Sequence, residues 1–506
     1  MSDTSPASSD GLGRKTLHSL GWTTVDRWGN RLFSLITFTL LGRLLAPEEF
    51  GLVALGTIFI AIANLLTDSG FSKALVQRRD LTREHIDTAF WASLAISLVV
   101  LAILGASATG LESVLAAPGL AAVIVAMGIS TVLTALSATP AALLERDFQF
   151  KRLALRRMLG TFAGGLAAIG LALAGAGVWS LVAQTVVASL VGVVVLWTST
   201  SWRPSRSISL PALRDLWRMG SNVLGIGLVG LVSSQGDRFI IGLVAGPEAL
   251  GYYYLAIRLI TILSEMLSTV FSSVSLTAFS RLQDDGPRLL SWLYRFISGS
   301  SILAIPLFMV MAATAPVLVP FVFGDQWRPA VPAVQILTFL GAINSIAYFD
   351  RNVLLATGHA RSAFWMTLGQ TVLGLAFVGV ATPFGITWVA VAIVARQYLY
   401  WPVRLVVLRR SVGIDRREYV RRLALPFAAA LLAVVPVVLV DRFLPGLTTP
   451  ALLYLVVAPA VSLLLYAGLL WLIARSLVRD ILDAIDRIPR LSALSRRLPR
   501  LRQALG

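Results

Sequence analysis

The 506-residue chain contains no cysteine and only three histidines. Without thiols there is no disulfide, no thiolate-held metal and no cysteine nucleophile. His18, His85 and His359 are scattered among polar segments and make no metal cluster, so no metal, cofactor or catalytic residue is expected. Charge is scarce too: 14% of residues are charged, against about 25% in an ordinary soluble domain. Lysine is nearly missing, since Lys15, Lys73 and Lys151 are the only three among 43 basic side chains. The net charge of +17 comes from arginines spaced between apolar segments rather than from a basic domain, which argues against a nucleic-acid partner. The polar, Ser-rich stretch 1–10 reads as a disordered lead-in and not as a secretory signal.

What the chain has in quantity is apolar sequence, 57% of it, in runs of membrane-spanning length. These runs and their breakers predict about fourteen transmembrane helices near 22–45, 51–72, 88–109, 119–143, 158–174, 177–199, 219–244, 250–277, 297–319, 332–356, 363–381, 385–403, 423–441 and 451–474. Basic residues test this division, because cytoplasmic loops concentrate Lys and Arg. The inner segments hold 34 of the 43, the outer loops hold only Arg328 and Arg442, and seven lie within spans. The alternation places both termini in the cytoplasm. It gives a cytoplasmic segment 1–21, a six-helix half 22–199, a linker 200–218 and a second six-helix half 219–403. After these come a basic cytoplasmic loop 404–422, two more helices in 423–474 and a basic amphipathic tail 475–506.

The halves carry a trace of duplication. Gly42-Arg-Leu-Leu-Ala-Pro47-Glu48-Glu-Phe-Gly51 aligns without a gap on Gly242-Leu-Val-Ala-Gly-Pro247-Glu248-Ala-Leu-Gly251, each in the outer hairpin between the first two spans of its half. Pro fixes φ and starts the next helix, Glu sits in its first turn and Gly lets the chain close. Any tight turn between spans favours such residues, but four identities at equivalent places favour a repeat. Six spans separate the two copies, so the halves share one orientation. They are expected to be related by a parallel pseudo-twofold axis, with a V-shaped cavity between them.

The stretch Leu44-Leu-Ala-Pro-Glu-Glu-Phe-Gly-Leu-Val-Ala-Leu55 resembles the polysaccharide-transporter branch of the multidrug/oligosaccharidyl-lipid/polysaccharide exporter superfamily. So do Asp68-Ser-Gly-Phe-Ser-Lys-Ala-Leu-Val-Gln-Arg-Arg-Asp80 and Thr88-Ala-Phe-Trp91. Within that branch the likeness is to Wzx-type lipopolysaccharide, colanic-acid and teichuronic-acid exporters, and it is strongest over roughly the first 160 residues. The resemblance implies flipping of undecaprenyl-diphosphate-linked oligosaccharide from the inner to the outer leaflet of a bacterial cytoplasmic membrane by alternating access, driven by an ion or the membrane potential. A polysaccharide polymerase or glycosyltransferases are the partners it suggests.

Ionisable residues inside spans mark where such a substrate would be held. A charge at mid-membrane costs at least ~2.5–3.5 kcal/mol, so it should face a wet cavity or a partner. In span one Arg27, Asn30, Arg31, Ser34 and Phe38 recur at spacings of three and four, on one helical face. Guanidinium donates paired hydrogen bonds to phosphate, which makes Arg27 and Arg31 candidates for a diphosphate headgroup, although Arg27 is shallow enough to snorkel. Arg258 and Arg396, deep in spans eight and twelve, are further headgroup candidates. Asp26, Asp68, Asp237, Arg238, Glu265, Asp350 and Arg351 are candidates for charge pairing or for the coupling ion. Adjacent Asp237-Arg238 and Asp350-Arg351 point about 100° apart on a helix, so each should pair with another helix.

Beyond 474 the apolar positions Leu477, Ile481, Ile485 and Ile488 alternate with arginines, which suits adhesion to anionic membrane lipids. A cation-coupled drug antiporter of the same superfamily is the alternative reading. The excess of intramembrane Arg over carboxylates argues for an anionic cargo instead. A peptidoglycan-precursor flippase shares the architecture. A membrane glycosyltransferase or polymerase would need a catalytic acidic pair or a long outer loop, and a passive scaffold would not need charges inside its spans.

Overall fold

A backbone surrounded by hydrocarbon must satisfy its own N–H and C=O groups, and a helix does so within one segment. The computed structural model describes residues 29–68, 70–444 and 450–473, without the side chains of 219, 222–223 and 268–277, and no strand occurs among the described residues. Helix runs through the described part of every one of the fourteen apolar intervals. Eleven helical stretches of the described residues are long and apolar enough to cross a membrane. The chain is an all-helical, multi-span membrane protein. Its outward side chains fit lipid rather than water: Leu464 is 73% and Leu166 63% exposed, each in the middle of an apolar helix.

Internal contacts divide the chain into two compact units, Met1–Gly251 and Tyr252–Gly506. The first contains α1 (29–44), α2 (Pro47–Asp68), a short α3 (Phe71–Gln77), α4 (Arg83–Val114), α5 (Leu120–Arg146), α6 (Phe150–Leu173), α7 (Trp179–Ser199) and the start of α8 (Leu210–Arg281). α8 changes direction at Gly246, whose φ of 81° and ψ of 178° are not helical, just before Pro247. Small residues set the tightest packing in this unit. A side chain on Gly160 would meet the Ala188 carbonyl at 2.9 Å, and one on Gly164 the Gln184 carbonyl at 2.5 Å, so this Gly-x-x-x-Gly pair lets α6 lie backbone to backbone on α7.

The connection from α7 to α8 is pinned. The fully buried carboxylate of Asp87, at the start of α4, accepts hydrogen bonds from Trp202 Nε1 (3.1 Å), Ser207 Oγ (3.3 Å) and Ser205 Oγ. Trp91 Nε1 donates to the Ser205 carbonyl at 2.7 Å. From the other side Arg78 donates to Asp215 at 3.0 Å, and His85 Nε2 lies 3.8 Å from the same carboxylate. The Arg78 hydrogen bond holds the Asp215 carboxyl below its ordinary range. The expected linker 200–218 is thus a short strap followed, from Leu210, by helix.

The second unit contains α9 (Gly286–Phe323), a 3₁₀ turn (Asp325–Ala330), α10 (Val331–Ala356), α11 (Ala360–Ala381), α12 (Ile386–Leu399), α13 (Trp401–Val412), α14 (Arg416–Phe443) and α15 (Ala451–Ile473). α9 is a single helix through Pro306, Pro316 and Pro320 and packs on α10, where Gly341 makes room for the ring of Phe308. Residues 404–422, expected as a basic cytoplasmic loop, are helical except for Gly413–Asp415. Charge that the loop reading assigned to water is satisfied within the protein, as at Arg404 and Arg422 below.

Candidate functional site

The ten-residue match between the two hairpins acquires a geometry in the first unit. A Cβ built on Gly51 would overlap the backbone carbonyl of Pro247, and one built on Gly251 would overlap that of Pro47. The two turns are therefore in reciprocal contact, each glycine against the other turn's proline, and neither position has room for a side chain. Pro247 can stand there because Gly246 ends the preceding helical limb, while in the first turn the Glu49 carboxylate accepts from the Ala46 N–H at 2.7 Å. Glu48 and Glu248 are both exposed.

The charges within the spans are distributed as follows. Arg31 is half-buried on α1, and Asp26 and Arg27 lie outside the described residues. Asp68 ends α2 and accepts from the Ser72 N–H, in the first turn of α3, at 3.3 Å. Asp237 and Arg238 are half-buried; the Asp237 carboxylate accepts from the Arg238 N–H (2.8 Å), and Arg238 reaches Gln235 at 3.2 Å. Arg258 and Glu265 are half-buried on the second limb of α8, and Arg258 has no hydrogen bond or ion pair among the described residues. Arg396 donates to the Gln370 carbonyl at 3.0 Å and lies across Gly374, so it braces α12 against α11.

Asp350 and Arg351 separate completely: Arg351 is exposed, whereas Asp350 is fully buried. Tyr419 on α14 donates to both carboxylate oxygens of Asp350, at 2.9 and 2.8 Å. Arg404 on α13 sets its Nε 2.6 Å from Oδ2 and donates from a terminal nitrogen to the Ala347 carbonyl, also at 2.6 Å. This acid–guanidinium–phenol triad borders a small cavity into which Gln370, Gln397 and Tyr400 also project. There Gln370 donates to Gln397, and Gln397 to Asn344 at 3.3 Å, which gives a chain of polar groups across α11, α12 and α10. Past Ile343, Ile346 and Trp401 the same region opens into an apolar cleft of about 310 Å³ toward Phe427 and Leu431. A second knot ties α14 to α9: Arg422 pairs with Glu418 at 2.6 Å, donates to Ser298 at 3.0 Å and covers the ring of Tyr294.

Sequence reasoning singled out Asp350 but not its partners. The basic stretch 404–422 places Arg404 and Tyr419 outside the spans, although Arg404 is the one charge inside the apolar run Trp401–Leu408, a signal that it is buried. Asp87 was missed because it stands at the edge of a span, where a carboxylate usually meets water.

A family model described as "Polysaccharide biosynthesis protein" matches residues 40–332. The succinoglycan biosynthesis transport protein ExoT of Rhizobium meliloti (strain 1021) is 26% identical over 483 residues, covering 93% of this chain and 96% of that protein. The lipopolysaccharide biosynthesis protein WzxC of Escherichia coli (strain K12) is 22% identical over 432 residues, or 83% of this chain and 86% of that one. Among solved structures, the lipid II flippase MurJ in an inward closed conformation aligns with a TM-score of 0.70 at 11% identity, over 90% of this chain and 99% of its own. An inward-facing multidrug resistance MATE transporter aligns with a TM-score of 0.56 at 17% identity, over 76% and 94%. At such identities the two structures establish a shared fold.

Proposed function

Because the chain belongs to the polysaccharide biosynthesis protein family, we propose that it moves a lipid-linked oligosaccharide across the bacterial cytoplasmic membrane, from the inner to the outer leaflet, by alternating access and without covalent chemistry. The observation that carries this reading is the end-to-end likeness to ExoT, a succinoglycan biosynthesis transport protein, over 96% of its length. In this reading both termini face the cytoplasm and the carrier lipid is undecaprenyl diphosphate. Arg31 and Arg258 each contact the anionic headgroup. Arg258 suits that role because its guanidinium has no partner among the described residues, and a partly desolvated guanidinium gains most from a bidentate phosphate. Arg27 is assigned with them. Arg396, held by Gln370, takes a bracing role beside any contact it makes. Asp350, with its polar chain, is the favoured element for coupling to an ion, and Asp68, bonded to the first turn of α3, is the least favoured.

The test is flipping of fluorescent undecaprenyl-diphosphate-oligosaccharide in proteoliposomes, with the wild type beside Arg31→Ala and Arg258→Ala. Transport by the wild type that falls at least tenfold in each variant, with unchanged folding, is the expected result. Full transport in both variants would remove the headgroup assignment. Export of cationic dyes without any flipping would move the protein to the drug-antiporter reading.

A further inference from the structure

The corner between α5 and α6 holds a phenylalanine where its counterpart holds a glycine. Here the Asp147 N–H donates to the Leu143 carbonyl (3.0 Å), Phe148 to Glu145 (3.1 Å) and Gln149 to Leu144 (2.8 Å). The corner between α10 and α11 repeats this set: Thr357 donates to Val353 (3.0 Å), Gly358 to Leu355 (3.3 Å) and His359 to Leu354 (2.8 Å). Both are helix-ending motifs whose middle residue must adopt a left-handed backbone. Its φ is 77° at Gly358, which costs glycine nothing, and 55° at Phe148, which strains any residue with a Cβ. Gly358 demonstrates that the corner closes without a side chain. The Phe148 ring also contributes little inside its own fold, for it is 80% exposed and lies against the edge of Phe150, itself 48% exposed, with centroids 6.0 Å apart. A strained residue with its apolar side chain turned outward has its partner outside the fold.

The surroundings say which partner. Along α6 the exposed residues Leu155, Leu159, Phe162 and Leu166 follow one another at spacings of four, three and four, a single helical stripe turned to the acyl chains, although the Phe162 ring also stacks on Phe33. Extended toward the corner, the same periodicity reaches Lys151 and Arg152, both exposed; one terminal nitrogen of Arg152 also donates to the Ser199 carbonyl. Cations at the end of a lipid-facing stripe, beside two outward aromatic rings, stand at headgroup depth, where phosphate and the acyl-chain boundary adjoin. We propose that Phe148, Phe150, Lys151 and Arg152 form a binding site for a phospholipid with an anionic headgroup. The rings wedge at the acyl-chain boundary and the two cations hold the headgroup phosphate. In the orientation proposed above this is the inner leaflet, but the site itself rests only on the helical fold and not on the cargo.

Native mass spectrometry of the full-length protein, released from nanodiscs with equal phosphatidylglycerol and phosphatidylcholine, reads the site directly. Wild type is expected to retain phosphatidylglycerol at least fivefold over phosphatidylcholine. Phe148→Gly copies the Gly358 corner and relieves the strain, so it should melt no lower than wild type while retaining several-fold less phosphatidylglycerol. Lys151→Gln with Arg152→Gln should abolish the headgroup preference. Undiminished phosphatidylglycerol in Phe148→Gly would overturn the proposal, as would a lower melting temperature, which would make Phe148 a structural residue. Displacement of the phospholipid by undecaprenyl diphosphate would reassign the corner to the cargo's path. Loss of a bound cytosolic protein in Phe148→Gly, with no lipid preference in wild type, would make it a protein-docking surface.

Discussion

Replacing Gly51 by Ala should break the contact between the two hairpin turns. The new methyl would fall on the carbonyl of Pro247, with the carbonyl carbon and Cα of the same residue behind it. A flexible side chain could swing away, but this obstacle is backbone, and proline's ring holds its φ. Overpacking ordinarily costs 1–3 kcal/mol, and with no rotamer to give way the cost here should reach about 3 kcal/mol, roughly a hundredfold in the population of the closed contact. The native chain has no cysteine, so Glu48→Cys with Glu248→Cys reports the contact by disulfide cross-linking in membranes. Cross-linking should be efficient in the otherwise native chain and largely lost with Gly51→Ala, and the melting temperature in detergent should fall. Gly251→Ala should do the same through Pro47. Because the contacts are reciprocal, the double variant should cost far less than the two singles added, since a turn already displaced no longer obstructs the other. Gly110→Ala, which meets nothing within 4 Å, is the control and should be neutral or slightly stabilising. A Gly51→Ala protein that cross-links and melts as the native chain does would refute the reasoning, and strictly additive costs would refute the reciprocity.

Two further predictions concern the charged clusters. Arg404→Ala leaves the fully buried Asp350 with only Tyr419, and the loss of one partner of a buried pair should cost about 3–5 kcal/mol. The folded yield after detergent extraction should collapse, and Arg404→Leu with Asp350→Leu should recover part of it; a single Arg404→Ala that melts normally would show that the pair is dispensable. At the strap, Arg78 lowers the folded-state pKa of Asp215, so its stabilisation is complete above the unfolded carboxylate value, about 4, and is lost as pH falls through the lower folded value. Hydrogen exchange over residues 210–216 should therefore speed up in acid in the native chain. In Asp215→Asn it should already be fast at neutral pH, and an acid response that survives this substitution would place the titration elsewhere.

Much of the helical framework was legible because the bilayer reduces the problem to lengths and breakers. A run of about 20 apolar residues has few alternatives to a helix, and Gly119, Gly175, Gly324 and Gly385, all at positive φ, mark the ends that a reader of the sequence would choose. The same economy has a limit at 404–422. Counting arginines locates the ends of spans by assuming that each one seeks water, and Arg404 instead finds the Asp350 carboxylate 54 positions earlier in the chain. No periodicity connects the two, and Tyr419 adds a third helix to the group.

The hairpin turns draw the line between the two kinds of knowledge. The sequence was enough to establish that Pro47 and Gly51 recur as Pro247 and Gly251, since turn chemistry is local and an ungapped match needs no structure to be seen. It also determined that the chain lives in lipid, because burial of its apolar runs has no other solvent. That each glycine lies against the other turn's proline, that Asp350 is held by Arg404 and Tyr419, and that Phe148 stands in a corner like the one α10 and α11 make with Gly358 emerged only from the folded chain. Those facts depend on which groups approach within a few ångströms after folding, and steric overlap, ion pairing and exposure are properties of such neighbours and not of spacing along the chain.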